Sequence, residues 1–172
     1  MCTKQTPTGV KDGAQAGSKL DPAENQRSYS SVYGNVRVGT GHARSALSSS
    51  QGWSAGSNSV GQWMQIDLGT SKPISGVIIS GRADTNSQYV TRVKIQVSDS
   101  TTFTTTVGTF DVANAIGNNE VEVPFVSEER GRYVRIVVLT WVSHISMRAG
   151  VQDGDFKFAC AGSKTCGALV SS

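Results

Sequence analysis

Ser54 lies in Gly52-Trp53-Ser54-Ala55-Gly56, the pattern of an elbow that lifts a nucleophilic serine out of a turn between a strand and a helix. That chemistry requires a buried strand before the serine and a helix after it. Here Ser48-Ser49-Ser50-Gln51 precedes and Ser57-Asn58-Ser59 follows, and neither fits. At 172 residues the chain is also short for the sheet that such hydrolases build. No catalysis is expected, and Trp53 reads as a core or loop-base aromatic.

Binding chemistry is better represented. Arg82-Ala83-Asp84 differs from the integrin tripeptide Arg-Gly-Asp by an alanine, which restricts the turn that glycine allows. An arginine fork with nearby amide and carboxylate groups suits sugar hydroxyls, and Tyr33 offers a ring to stack on a pyranose. His42, beside Gly41, is a further ligand candidate, whereas His144 reads as framework. Calcium is a candidate ion, with Asp84, Asn86 and neighbouring carbonyls, or Asp111 with Asn114 and Asn118, as hard oxygen donors. No motif fixes it, because loops rich in Asp and Asn also simply make turns.

The cysteines and histidines are too far apart in sequence for a tetrahedral zinc site. Three thiols cannot all pair within one chain. Cys2 with Cys160, tying the ends together, and Cys160 with Cys166, leaving Cys2 free, both stay open.

Composition bounds the partners. Only 17% of residues are charged, and 16 basic against 13 acidic residues give a net charge of +3 with no cluster longer than Arg130-Gly131-Arg132 and Arg135. A nucleic-acid footprint is therefore absent, while a weakly basic surface still suits acidic glycans or anionic lipid headgroups. No window approaches the roughly 20 apolar residues of a bilayer span. The first residues lack the apolar core of a secretion signal, so a secreted form is expected to have lost it.

The elements that must position these groups read as strands. Val93, Ile95 and Val97 alternate with Arg92, Lys94 and Gln96 over Tyr89–Ser98, giving one apolar and one wet face. Ile74–Ser80 is a nearly continuous apolar run suited to a strand covered on both sides. Val121, Val123 and Phe125 form a stripe, Val134, Ile136 and Val138 another, and Ile145, Met147, Ala149 and Val151 share a face opposite His144, Ser146 and Arg148. Asp21-Pro22-Ala23-Glu24 predicts a short helical turn capped by Asp21. Strands separated by Gly, Ser, Asn and Asp clusters predict an all-β sandwich or barrel of antiparallel strands.

Several of these segments, in this order, resemble the discoidin family, also called the coagulation factor 5/8 type C domain. They are Ala43-Arg44-Ser45-Ala46-Leu47, Gln62-Trp63-Met64-Gln65-Ile66-Asp67-Leu68-Gly69, Tyr89-Val90-Thr91-Arg92-Val93, Arg132-Tyr133-Val134-Arg135-Ile136, and Trp141 with His144-Ile145-Ser146-Met147-Arg148. The resemblance implies a jelly-roll-like β-sandwich or distorted barrel with protruding binding loops, spanning 28–154. A polar segment, 1–27, packs on or leads into it, and a partly ordered tail, 155–172, follows.

By position, the loops are about Ser31 to His42, Arg82 to Gln88, and Val112 to Asn119. The ligand-binding residues they imply are Tyr33, Asn35, Arg37 and His42; Arg82, Asp84, Asn86 and Gln88; and Asn118. The family's closing cysteine falls here at Gly154, which leaves the terminal disulfide shifted or absent. Trp63 and Trp141 are expected in the core, with Asp67 paired to Arg148.

The implied function is a non-catalytic extracellular module for cell-surface or matrix glycans and glycoproteins, serving adhesion. The alternatives are a peripheral module for anionic phospholipid, and a protein-interaction domain of a larger adhesive protein. The first loop lacks the paired tryptophans or leucines of membrane-binding relatives. Insertion of Val32, Tyr33, Val36 and Val38 would bury only modest area at roughly 25 cal/mol per Å².

Overall fold

The structure, a computed structural model, describes residues 17–154. Its strands are β1 (Lys19–Leu20), β2 (Arg27–Tyr29), β3 (Trp53–Ser54), β4 (Trp63–Ser80), β5 (Tyr89–Ser98), β6 (Gly108–Asp111), β7 (Glu120–Val142) and β8 (Ser146–Asp153). Among the described residues, helix is confined to single 3-10 turns at Glu24–Gln26 and Tyr33–Asn35. All pairings are antiparallel, in the order β1-β8-β4-β7-β5-β6, with β2 added to β4 and β3 to β8.

Two long strands make this one sheet into two layers. β4 and β7 pair from Trp63 opposite Val137 to Ser80 opposite Glu120, with register breaks between Asp67 and Lys72 and between Ile74 and Gly76. Bulges bend the strands that carry them, so each strand contributes one half to either layer. Trp63–Asp67 joins β2 and the C-terminal half of β7, which in turn pairs with β5, and β5 with β6. Ile74–Ser80 joins β8, which carries β1 and β3. Met64, Ile66, Val93, Ile95, Val134 and Ile136 from one layer meet Val77, Ile79, Val123, Met147, Ala149 and Val151 from the other. Each such side chain, fully buried, stabilises the fold by about 1.5–3 kcal/mol before entropy is counted. The result is the antiparallel sandwich that the alternation predicts, with the jelly-roll-like form that the resemblance implies.

Loops cover what the pattern presents as a wet face of β8. Ser146 and Arg148, opposite the apolar stripe, are 0% and 4% exposed. Arg148 donates to the carbonyls of Leu47 (2.8 Å), Ser49 (3.2 Å), Gly81 (2.9 Å) and Gly117 (2.9 Å), to Ser80 Oγ (2.8 Å) and to Asn118 Oδ1 (2.8 Å). Arg27, equally buried, donates to the carbonyls of Pro22, Ser45 and Ala149 and to Asp21. The strandless segment 45–49 is thus clamped: its carbonyls go to two arginines and its amides to two carboxylates. Asp21 accepts from Leu47 and Ser48, and Glu24 from Ser45 and Ala46. A buried loop needs such partners, because an unpaired amide or carbonyl there costs about 1–3 kcal/mol.

Three expectations are corrected here. Asp21 caps no helix: the 3-10 turn begins at Glu24 behind Ala23, without a side-chain cap, and Asp21 is spent on the 47–48 amides and Arg27. Asp67 pairs with Arg132 across the β4–β7 bulge, with both N–H···O contacts at 2.7 Å, and not with Arg148. Trp53 is the fully buried tryptophan; Trp63 and Trp141 are half-buried, and Trp63 lies against the Arg135 guanidinium at 4.1 Å. The cysteines and the 155–172 tail lie outside the described residues, whereas 17–27 contributes β1 and Arg27 to the domain.

Candidate functional site

Four connections meet at one end of the sandwich: the β2–β3 loop (30–52), the β4–β5 loop (81–88), the β6–β7 loop (112–119) and the β7–β8 turn (143–145). Between the first, second and fourth of these is a cleft of about 250 Å³ lined by Tyr33, His42, Ser54, Arg82, Gln88 and His144.

β3 holds this arrangement together. The Ser54 amide donates to the His42 carbonyl (3.0 Å) and the Ala55 amide to the Ile145 carbonyl (3.1 Å), so two residues tie both histidine-bearing connections to one strand. Trp53 stacks on Tyr29 at 5.6 Å and donates from its indole to the Ser31 carbonyl (2.8 Å), which fixes where the first loop leaves the sheet. At Gly52 a Cβ would lie 3.0 Å from the Arg82 Cα, so glycine there lets the second loop press against the first. The β7–β8 turn holds Ser143 at φ 57°, a conformation costly for a residue with a Cβ. Asn58 holds it there, accepting from the Ile145 amide (2.9 Å) and donating to the Ser143 carbonyl (3.3 Å).

Tyr33 is 54% exposed, and both imidazoles meet it edge to face, His42 at 5.1 Å and His144 at 5.8 Å between centroids. Behind it runs a row of polar side chains. His42 Nδ1 contacts Ser54 Oγ (3.3 Å), Ser54 Oγ contacts Ser146 Oγ (2.9 Å), and Ser146 Oγ donates to Gln88 Oε1 (3.4 Å). Arg82 donates from Nη1 to Gln88 Oε1 (3.0 Å) and from Nε and Nη2 to the Asp84 carboxylate. The hydrogen bonds from Arg82 hold the Asp84 carboxyl below its ordinary range. Burial, then the Arg82 charge, lower the pKa of His42.

The expected binding residues thus divide. Tyr33, His42, Arg82 and Gln88 line the cleft, and Asp84 sits behind Arg82. Asn35 and Arg37 are exposed and do not line it. Asn86 faces the Gly117 turn, where a Cβ would lie 2.1 Å from its Oδ1, and Asn118 is taken by Arg148. Among the described residues no group of three His, Cys, Asp or Glu side chains comes together as a metal site. Of the calcium candidates, Asp84 is held by Arg82, Asn86 packs against the Gly117 turn, and Asp111 lies at the sheet edge 3.6 Å from Arg92.

A family model for the F5/8 type C domain matches residues 26–151, from Gln26 before β2 to Val151 near the end of β8. The chain belongs to the F5/8 type C family. Rat (Rattus norvegicus) lactadherin is 30% identical over 156 residues, covering 83% of this chain and 34% of that protein; the chain therefore spans about a third of the length of the curated relatives it matches. Discoidin II of Dictyostelium discoideum superposes with a TM-score of 0.61 at 19% identity, over 79% of this chain and 59% of that one. The family 32 CBM of C. perfringens NanJ, solved in complex with galactose, gives 0.57 at 18%, over 78% and 98%.

Seen in this F5/8 type C domain, the residues that sequence reasoning missed are Ser54, Ser146 and His144. Ser54 was visible only as part of a hydrolase motif, His144 as a framework residue, and Ser146 as a polar residue opposite an apolar stripe within a family-like segment. Their one available signal was being polar in segments otherwise given to the core.

Proposed function

We propose that the chain is a non-catalytic extracellular module that recognises glycans or glycoproteins of the cell surface or matrix, through the Tyr33–His42–Arg82–Gln88–His144 cleft, in the service of adhesion. The observation that carries this reading is one exposed aromatic ring standing beside a continuous row of hydrogen-bonding side chains. A pyranose has the same two characters: an apolar C–H face that stacks on a ring, and hydroxyls that need donors and acceptors. The cleft is of monosaccharide size, and the NanJ module of this fold, solved in complex with galactose, supports the reading. An extracellular setting agrees with the F5/8 type C assignment.

Catalysis has little support. His42 does contact Ser54, but Ser54 is 2% exposed on a strand, and the relay beyond it ends on an amide. The membrane reading draws on the likeness to lactadherin and on exposed Val38 and Val60. Two isolated valines make a weak anchor.

A glycan array run beside liposome sedimentation separates the two. Array binding lost in both Tyr33→Ala and Arg82→Ala, with vesicles left in solution, is the expected outcome. Sedimentation with phosphatidylserine vesicles and an empty array reverse the order of the two readings, and silence in both directs the search to protein partners.

A further inference from the structure

Hydrogen-bond direction in the cleft can be read from one atom. A guanidinium only donates, so Arg82 Nη1 obliges Gln88 to turn its oxygen inward. Ser146 has a single proton and gives it to the same oxygen. Ser146 Oγ must then accept from Ser54 Oγ, and Ser54, its proton spent, must accept from His42 Nδ1. The outer contacts, 3.3 and 3.4 Å, are long and weak beside the 2.9 Å bond between the two serines, so the row has this direction only when all three contacts are made together. His144 reaches the same state independently, because its Nδ1 lies 3.1 Å from the Ile145 carbonyl, which can only accept. With every contact of the row made as a hydrogen bond, both rings are Nδ1–H tautomers, and no protein group among the described residues bonds either Nε2. Gln88 is left with its amide protons to offer. The cleft wall's permanent cation, Arg82, is already matched by Asp84.

We propose that the cleft reads ligand protons: hydroxyl or amino groups of a sugar donate to the bare Nε2 atoms of His42 and His144, sialylated or sulfated sugars are disfavoured, and acidification releases the ligand. This rests on the glycan reading above. A carboxylate or sulfate has no proton to donate, and would face two imidazole lone pairs with the nearby arginine already neutralised. Protonation turns each acceptor into a donor and reverses the match. The groups facing His42 are Tyr33 on its own loop, Arg82 and Asp84 on the β4–β5 loop, and His144 on the β7–β8 turn. Burial and the Arg82 charge, against Asp84, favour neutral His42, which agrees with an acceptor at neutral pH.

Two experiments on the full chain test this. Long-range imidazole nitrogen NMR at about pH 7.5 should show Nδ1–H on both rings; Nε2–H on either overturns the proposal. Ser146→Ala frees the Ser54 proton to turn toward His42, and should switch the His42 tautomer while leaving His144 unchanged. If that variant does not fold, the wild-type spectrum still decides. Calorimetric titration with lactose, chitotriose and 3′-sialyllactose supplies the second test. Lactose or chitotriose should bind at least about tenfold more tightly than sialyllactose, and lose at least about tenfold between about pH 7.5 and pH 5. Binding without charge or pH preference overturns this inference alone. Silence from all three overturns the glycan reading with it.

Discussion

Arg148 and Arg82 meet at Gly81: its carbonyl accepts from Arg148, and Arg82 follows it in the chain. Yet they do different things. Arg148 is buried and ends on four carbonyls, a hydroxyl and an amide, so its network is closed. Arg82 ends on two side chains, and from Gln88 the row continues to an imidazole at the cleft wall. The difference teaches where ligand affinity can reside. Closed networks hold loops in place, and only an open-ended row retains donors and acceptors for something else.

The sharpest way to break this contrast is Arg148→Leu. It leaves the carbonyls of Leu47 and Gly81 without their donor, while Gly117 keeps only Ser80 Oγ, and we expect a loss of about 3–5 kcal/mol in urea unfolding. A loss under about 1 kcal/mol would show that water or relaxation replaces the guanidinium, and would remove the distinction between closed and open networks. Next in size is Asn58→Ala. It releases the strained Ser143 turn at a cost of about 1 kcal/mol and misplaces His144, so sugar affinity should fall although Asn58 does not line the cleft. Unchanged affinity would mean that the turn holds its shape without the clamp.

Much of the framework was legible, and the reason is local. β5 runs Tyr89–Ser98 as the alternation predicts, because one face meets the core and the other does not. β4 was legible only in two pieces. That it passes unbroken through Gly69–Pro73 depends on β7, more than fifty residues away in sequence, continuing beside it. The same long-range blindness put Asp67 with Arg148 when β7 places Tyr133 opposite and brings the Arg132 guanidinium to the carboxylate. At the candidate site, Tyr33, His42, Arg82 and Gln88 were recoverable from loop position and chemistry. Ser54 and Ser146 were not, since a serine in a core strand looks the same whether it fills space or passes a hydrogen bond along.

Asp67→Asn sharpens the comparison from the other side, since this carboxylate is bonded twice by Arg132 but its side chain is still 27% exposed. Those hydrogen bonds, with a smaller backbone contribution from Gly69, lower its pKa below the ordinary 3.8. The folded form therefore holds its proton less firmly than the unfolded chain. The stabilisation is complete above that ordinary value and is lost as pH falls through the lowered one. Solvent screening keeps it to about half a kcal/mol, so the melting temperature at neutral pH should move by a few degrees at most, and the variant should show a flatter acid limb. A shift comparable to that of Arg148→Leu would mean the pair is far less solvated than its exposure indicates.

The smallest expected change in stability is also the most informative about function. Tyr33 is 54% exposed and touches the domain chiefly through the two histidine edges. Tyr33→Ala should leave unfolding within about 0.5 kcal/mol of the parent, as surface substitutions usually do. Stacking a pyranose on that ring supplies apolar contact that alanine cannot, so the same variant should bind sugar at least about tenfold more weakly. Stability and binding then separate cleanly at one residue, as they do at neither Arg148 nor Asn58. If Tyr33→Ala instead unfolds the domain, the ring is part of the closed framework, and the cleft has lost its candidate platform.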